Sequence, residues 1–365
     1  MQQVTADADA PGSPLDAEGL RTRVQTCLDD FLDGQAPLLA GIGDELAPVM
    51  GTLTDLLAGG KRLRAAFAYW GWRGAGGGDD DEAMVRAATA LELLQACALI
   101  HDDVMDGSET RRGLPAAHRR FAALHRAGGW TGSAEVFGTG AAILLGDLAL
   151  SWADQLLFAS GLPDDALLRA KPTYDLMRTE LMAGQYLDLL EQARGGGSLP
   201  RAMRVVRYKA AKYTIERPLH LGGALAGADT DLQAAYTGYG LPLGEAFQLR
   251  DDLLGVFGDP ERTGKPAGDD LREGKRTVLV ATALANASPA GADLLHRHLG
   301  DPGLDDAGVA AVRAVITETG AVERTEELIE TLTGQALAVL PTASLPAAAR
   351  QALTRLAHAA TARTV

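Results

Sequence analysis

An all-α fold is the prediction, and three observations carry it. Apolar residues make up 47% of the chain while aromatics are only 5%, and alanine and leucine abound, a balance that suits helices better than a β-sandwich. Strand signals are weak: few segments alternate, and β-branched runs such as Thr277 to Val280 are short. Glycine-rich breaks separate long stretches that read as helices. With 365 residues the chain can bury a large core. The expected organisation is a disordered tail over residues 1–14, rich in Ala, Asp, Pro and Gly, and one domain of ten or more helices over 15–365.

The elements follow in order. A helical pattern runs from about Leu15 to Asp33, and a second helix precedes Gly59-Gly60-Lys61-Arg62-Leu63-Arg64. Three cations in the first turn of the next helix oppose its dipole, so a nearby anion would relieve them; an ordinary basic surface turn is the other reading. Gly76-Gly77-Gly78 is a linker, and the acidic Asp79, Asp80, Asp81 and Glu82 suit the start of a buried helix near Ala83. That helix ends in Asp102, Asp103 and Asp106. Three carboxylates at the negative end of a helix are unfavourable unless a cation neutralises them. Asp102 and Asp106, at i and i+4, share a face roughly 6 Å apart. Oxygen ligands so spaced suit Mg²⁺, which takes one or two carboxylates and fills its shell with water and substrate phosphate. Arg111 and Arg112 follow in a short polar loop, and guanidinium beside a carboxylate-bound metal is what a diphosphate needs. A solvated acidic helix end with an unrelated basic loop is the alternative for these residues alone.

Helices are expected from about Glu135 to Ala159 and from about Pro163 to Gln192, the latter carrying Gln185 and Asp188 near one face. After the loop Gly195–Ser198, a helix holds Arg207, Lys209 and Lys212. The helix Gly244–Gly255 carries a second acidic pair, Asp251 and Asp252, with Gln248 one turn before it. The loop beyond holds Lys265, then Lys275 and Thr277, in glycine-rich backbone suited to close phosphate approach. His296 and His298, at i and i+2, do not share a helix face, which favours a surface role over metal.

Composition narrows the partners. The net charge of −14 argues against nucleic acid and anionic membrane surfaces. Cys27 and Cys97 have no zinc or redox spacing, so a reduced cytoplasmic protein is expected. The N-terminus shows no signal-peptide pattern, and no apolar stretch reaches about 18 residues, so no transmembrane helix is expected.

With both acidic motifs in view, the chain resembles the trans-polyprenyl diphosphate synthase family over roughly residues 40–290, and is similar to its bacterial geranylgeranyl diphosphate synthases. The resemblance rests on the basic run Gly60-Lys61-Arg62-Leu63-Arg64, two aspartate-rich helices, and Gly-Lys-Pro followed by Gly-Lys-x-Thr. It implies an isoprenoid-synthase bundle around a central cavity and a homodimer. It implies a reaction in which an allylic diphosphate (dimethylallyl, geranyl or farnesyl) ionises, isopentenyl diphosphate attacks the cation through its double bond, and a proton is lost. It implies Mg²⁺, with Mn²⁺ as a substitute and three ions per active site, held by Asp102, Asp103, Asp106, Asp251 and Asp252. It further implies Arg111, Lys209, Gln248, Lys265 and Lys275 around the allylic diphosphate. Lys61, Arg64, Gln95 and Arg112 then hold isopentenyl diphosphate without metal. Gln95 lies two turns below Asp102 on nearly the same face.

Two departures stand out. The family's second motif often ends in a third Asp, where this chain has Gly255; water or Asp259 would have to substitute. Ala210 stands where a Thr often follows the lysine. Rival readings fare worse. An all-α terpene cyclase uses an Asn- and Ser-containing second motif, and Asn286 is the chain's one asparagine. A di-iron bundle needs Glu-x-x-His pairs, and no histidine lies three after a Glu. A non-catalytic synthase subunit would not need the intact first motif. Product length is expected to be C20, geranylgeranyl diphosphate. Ala98 and Cys97, one turn below Asp102, are small, and Leu94 lies deeper, so no aromatic floor stops the tail at C15. Farnesyl diphosphate or a longer product is the alternative.

Overall fold

Helices make up nearly all the regular structure that this computed structural model describes, which covers residues 18–78, 80–258 and 268–362. The expected tail at 1–14, Asp259 and Lys265 lie outside those residues. The chain divides into two compact units: Met1–Ala170 with Leu221–Gly227, and Lys171–His220 with Ala228–Val365.

The first unit contains α1 (Leu20–Ile42), α2 (Ala47–Leu57), α3 (Leu63–Gly74), α4 (Glu82–Asp106), α5 (Ala117–Ala127) and α6 (Ala134–Phe158). α4 is its axis and packs against all five others. The reason is in its side chains: Ala88, Leu91, Leu93, Leu94 and Cys97 are fully buried, so apolar residues cover almost its whole circumference. The acidic stretch before α4 is tied down rather than used as a backbone cap. Asp81 accepts from the Tyr69 hydroxyl at 2.5 Å and from Arg23 Nη1 at 3.1 Å. α6 starts at a conventional cap, Ser133 Oγ accepting from the Val136 amide. α7 (Asp164–Arg194) begins in the first unit and continues in the second. α9 (Arg217–Ala226) runs the other way.

In the second unit α8 (Leu199–Val205) leads into a π-helix, Val206–Glu216. The expected ordinary helix over Arg207, Lys209 and Lys212 is therefore π-wound. The axis here is α10 (Thr230–Phe257), capped by Asp229 and packed against the π-helix. α11 (Asp269–Arg272), α12 (Val278–Asn286), α13 (Pro289–His298), α14 (Asp306–Glu318), α15 (Ala321–Val339) and α16 (Ala347–Thr361) complete it. α12, α15 and α16 also pack on α10. Thr277, at the head of the short β-branched run, is the N-cap of α12.

Two expectations need correcting. The polar loop after Asp106 is a small hairpin, β1 (Thr110–Arg111) and β2 (Leu114–Pro115), with Thr110 opposite Pro115. Its two turn residues, Arg112 and Gly113, both have positive φ, 54° and 76°, the signature of a tight hairpin turn. Second, α4 and α6 each hold an 18-residue window of mean hydropathy 1.5, long and apolar enough to cross a membrane by length and composition. Isolated polar residues such as Glu92 and Gln95 break the apolar run in sequence without lowering its mean enough. The α4 window is 72% buried inside the protein, as a core helix should be.

Candidate active site

Each unit's axis carries an acidic motif near its C-terminal end. In the first unit, Gly107 closes α4 in the left-handed conformation, and the Ser108 amide donates to the Asp103 carbonyl at 3.0 Å. The chain then turns back through the hairpin, which brings Arg111 over the helix end. Arg111 Nε donates to both Asp103 oxygens, at 2.9 and 3.2 Å, and Nη2 reaches the same carboxylate. Nη2 also lies 3.8 Å from Asp102. Asp103 is 2% exposed, so this bidentate clamp supplies the cation that its buried charge requires. Asp102 and Asp106 are half-buried beside it.

The basic residues of this unit converge on the end of α2. Arg112 Nη1 donates to the carbonyls of Leu56, at 2.5 Å, and Gly59. Burial of this head group, and after it the charge of Arg62, draws the Arg112 pKa below its ordinary value. Gly60 has φ 123°, and a Cβ there would sit 2.8 Å from Arg112 Nη2. Glycine thus suits the positive φ of the turn, and a side chain there would push the guanidinium aside. Lys61 and Arg64 flank Arg62, half-buried. On α4, the Gln95 Oε1 is shut off from solvent with no hydrogen-bond partner. A small cavity between α2 and the hairpin is lined by Thr52, Ile100, Asp103, Arg111 and Arg112.

Below Asp102 on α4, Ala98 is half-buried, while Leu94 and Cys97 are fully buried. The Cys97 thiol faces His101 Nδ1 at 3.7 Å, and burial pushes its pKa to about 12. His101 in turn contacts the Ile143 carbonyl of α6 at 3.0 Å. Cys97 therefore belongs to the α4–α6 seam, whereas Ala98 shares the face of Asp102.

In the second unit, Gln248 Nε2 donates to Asp252 Oδ1 at 2.8 Å. The other oxygen, Oδ2, is buried without a hydrogen-bond partner. Burial, with the charges of Asp270 and Asp251 adding to it, pushes the Asp252 pKa up to about 8. Asp270 stands at the place of the missing third aspartate: a Cβ on Gly255 would lie 1.9 Å from its Oδ2. Lys275 Nζ sits 2.8 Å from Glu273 and 3.8 Å from Asp270. Lys209 Nζ donates to Asp188 of α7 at 2.6 Å. That contact depends on Gly184, whose absent side chain would strike the Lys209 backbone amide at 2.4 Å. Among the described residues no three His, Cys, Asp or Glu side chains form a ready-made metal cage. The donor set nevertheless fits Mg²⁺, which needs few carboxylates, and the orphaned, charge-starved Asp252 is a group that a divalent cation would ionise.

The sequence matches the family described as Polyprenyl synthetase over residues 48–317. The chain belongs to the polyprenyl synthetase family. It is 34% identical over 285 residues to a geranylgeranyl diphosphate synthase of Mycobacterium tuberculosis, covering 78% of this chain and 75% of that one. It is 31% identical over 275 residues to a geranylfarnesyl diphosphate synthase of Aeropyrum pernix, covering 74% and 79%. Among solved structures it resembles a geranylgeranyl pyrophosphate synthase from Corynebacterium glutamicum, complexed with isoprenyl diphosphate and magnesium. That likeness has a TM-score of 0.92 and 44% identity, and covers 94% of this chain and 99% of the other. The protein is thus an enzyme, a trans-prenyltransferase with the all-α isoprenyl synthase fold.

Reading the sequence missed three features of this polyprenyl synthetase. Nothing in the sequence separates Asp270, five before Lys275, from the other polar residues of the glycine-rich segment. No spacing signal pairs Asp188 with Lys209, which lies on another element. Arg276, next to Lys275, has Nε and Nη1 buried without a hydrogen-bond partner, and burial lowers its pKa.

Proposed function

We propose that this enzyme makes geranylgeranyl diphosphate, C20, as its main product, with Mg²⁺ as cofactor and as a cytoplasmic homodimer. Product length is carried by one observation: Ala98, small and half-buried, stands one turn below Asp102 on the same face. A short side chain there lets the growing tail pass where an aromatic ring would stop it at C15. The buried Leu94 on the next turn narrows the path without a rigid floor.

Asp102 and Asp106 of the first acidic motif, and Asp251 and Asp252 of the second with Asp270, are the residues that would hold Mg²⁺. The metal supplies positive charge for the departing diphosphate. Asp103, in the first motif, keeps Arg111 in place beside them. Lys209, oriented by Asp188, and Lys275, oriented by Glu273, present ammonium groups to the allylic diphosphate, with Gln248, Arg111 and Lys265. Lys61, Arg64, Gln95 and Arg112 take isopentenyl diphosphate. The allylic carbon–oxygen bond breaks, the isopentenyl double bond forms the new carbon–carbon bond, and one proton leaves with the diphosphate. Dimethylallyl, geranyl and farnesyl diphosphates all fit as primers in this scheme. Homodimerisation is supported by the apolar face of α6, where Val136 and Leu144 are 73% and 69% exposed.

The test combines isopentenyl diphosphate with each primer, with and without Mg²⁺, and reads product length by chromatography. The wild type should end at C20 and fall silent in excess chelator. Ala98→Phe should shorten the main product to C15. An unchanged product pattern in a folded, active Ala98→Phe enzyme would remove the tail from this face.

A further inference from the structure

Between the two cations Lys61 and Arg64 lies a third that points elsewhere. Arg62 has φ 53° and ψ 35°, the left-handed conformation that L residues avoid and glycine accepts readily. Its side chain turns inward until the residue is 4% exposed. Nη1 pairs with Glu92 Oε2 of α4 at 3.1 Å, and Glu92 is itself 4% exposed. Nη2 donates to Gln25 Oε1 of α1 at 2.6 Å and to the Leu57 carbonyl. The last carbonyls of α2 have no partners within that helix, and a cation at this negative end is favourable. Arg62 takes the Leu57 carbonyl and Arg112 that of Leu56, together with the Gly59 carbonyl just beyond the helix.

This arrangement is a poor way to gain stability alone. A buried ion pair seldom beats apolar residues of the same volume, and the other Glu92 oxygen is buried without a hydrogen bond. The strained turn adds to the cost. What the pair does is register. Glu92 lies one turn before Gln95 on α4, so locking Arg62 to it ties the turn bearing Lys61 and Arg64 to the helix bearing Gln95.

We infer that Arg62 is a positioning residue, whose buried pair with Glu92 sets Lys61 and Arg64 against Gln95 in the subsite for the metal-free diphosphate. The inference rests on the proposed assignment of Lys61, Arg64, Gln95 and Arg112 to isopentenyl diphosphate. It goes beyond that assignment by giving a residue that never touches substrate control over one substrate's affinity.

The experiment is steady-state kinetics with both substrates varied, on Arg62→Gly, Arg62→Lys, Glu92→Gln and the Arg62→Gly/Glu92→Gln double variant. Lys61→Ala serves as reference, and circular dichroism checks each fold. Arg62→Gly keeps the left-handed turn and removes only the clamp. It should raise KM for isopentenyl diphosphate about tenfold while KM for the allylic primer stays within about twofold. Arg62→Lys should lose less, and the double variant should be no worse than the worse single one, because both act through one pair. If Arg62→Gly does not fold, Glu92→Gln and Arg62→Lys must show the same one-sided rise. A folded set with KM for isopentenyl diphosphate unchanged, or with both KM values rising together, overturns the inference. If Lys61→Ala also leaves KM for isopentenyl diphosphate unchanged, the subsite assignment itself has failed, and the inference falls with it. A rise for Lys61→Ala alone overturns only the role of Arg62.

Discussion

At the scale of single residues, the second acidic motif shows how a departure in sequence is repaired in space. Gly255 leaves a gap where a third carboxylate could stand, and the Asp270 carboxylate fills it. A side chain at 255 would therefore force the Asp270 carboxylate to move. Gly255→Asp alone should clash with Asp270 and add a like charge beside Asp252, which burial already holds near a pKa of about 8. Turnover should fall by roughly a hundredfold, and Asp270→Ala alone should do comparable damage. The double variant Gly255→Asp/Asp270→Ala moves the carboxylate to the other side of the same space and should regain part of the activity. Turnover against Mg²⁺ concentration measures this; a double variant worse than both singles would mean that the two carboxylates are not interchangeable. Chemistry at this scale was legible in the sequence only where it lay close along the chain. Asp102 and Asp106 are one helical turn apart, so spacing alone pairs them. Asp270 meets Gly255 from well along the chain, and Arg62 reads as one more cation of a basic run because nothing local marks a side chain that folds inward.

At the scale of elements, small residues decide how closely helices approach. Gly222 of α9 lies against α3, where a Cβ would fall 1.9 Å from the Ala68 carbonyl oxygen and 2.7 Å from the Trp72 amide. Both obstacles are backbone, so neither can swing aside. Gly222→Ala should cost about 2–3 kcal/mol and lower Tm by several degrees, read by calorimetry. An unchanged Tm would show that the helices can part freely. Gly146 of α6 plays a similar part against the His101 ring, with a side-chain obstacle at 2.1 Å. Helix positions were largely legible: α4 and α6 fall within a residue or so of their expected bounds, because glycine breaks and long apolar stretches delimit them. The π-winding at Val206–Glu216 was not, since it is set by i→i+5 backbone bonding that no local residue type marks. The hairpin was invisible for a related reason, as strands of two residues carry no alternation.

At the scale of the whole molecule, α6 carries an apolar face that stands open. α4 and α6 have the same mean hydropathy in their most apolar windows, yet 72% of the α4 window is buried and only 39% of the α6 window. Val136, Gly140, Ile143 and Leu144 recur at helical spacing on the exposed side, and all stand open. An apolar helical face of this length in water is expected to find a cover. A second copy of the chain is the simplest one, because a two-fold axis lets the same face serve on both sides. Asp147 and Ser151 continue that face in polar form, which suits the rim of an interface better than the interior of a lipid bilayer. The wild type should therefore sediment as a dimer at micromolar concentration. Leu144→Glu would bury two carboxylates near the axis without partners, a cost large enough to drive dissociation. That variant should sediment as a monomer while its helix content stays that of the wild type. A wild type that is already monomeric, or a Val136→Glu/Leu144→Glu variant that remains dimeric, would mean that α6 is not where the copies meet.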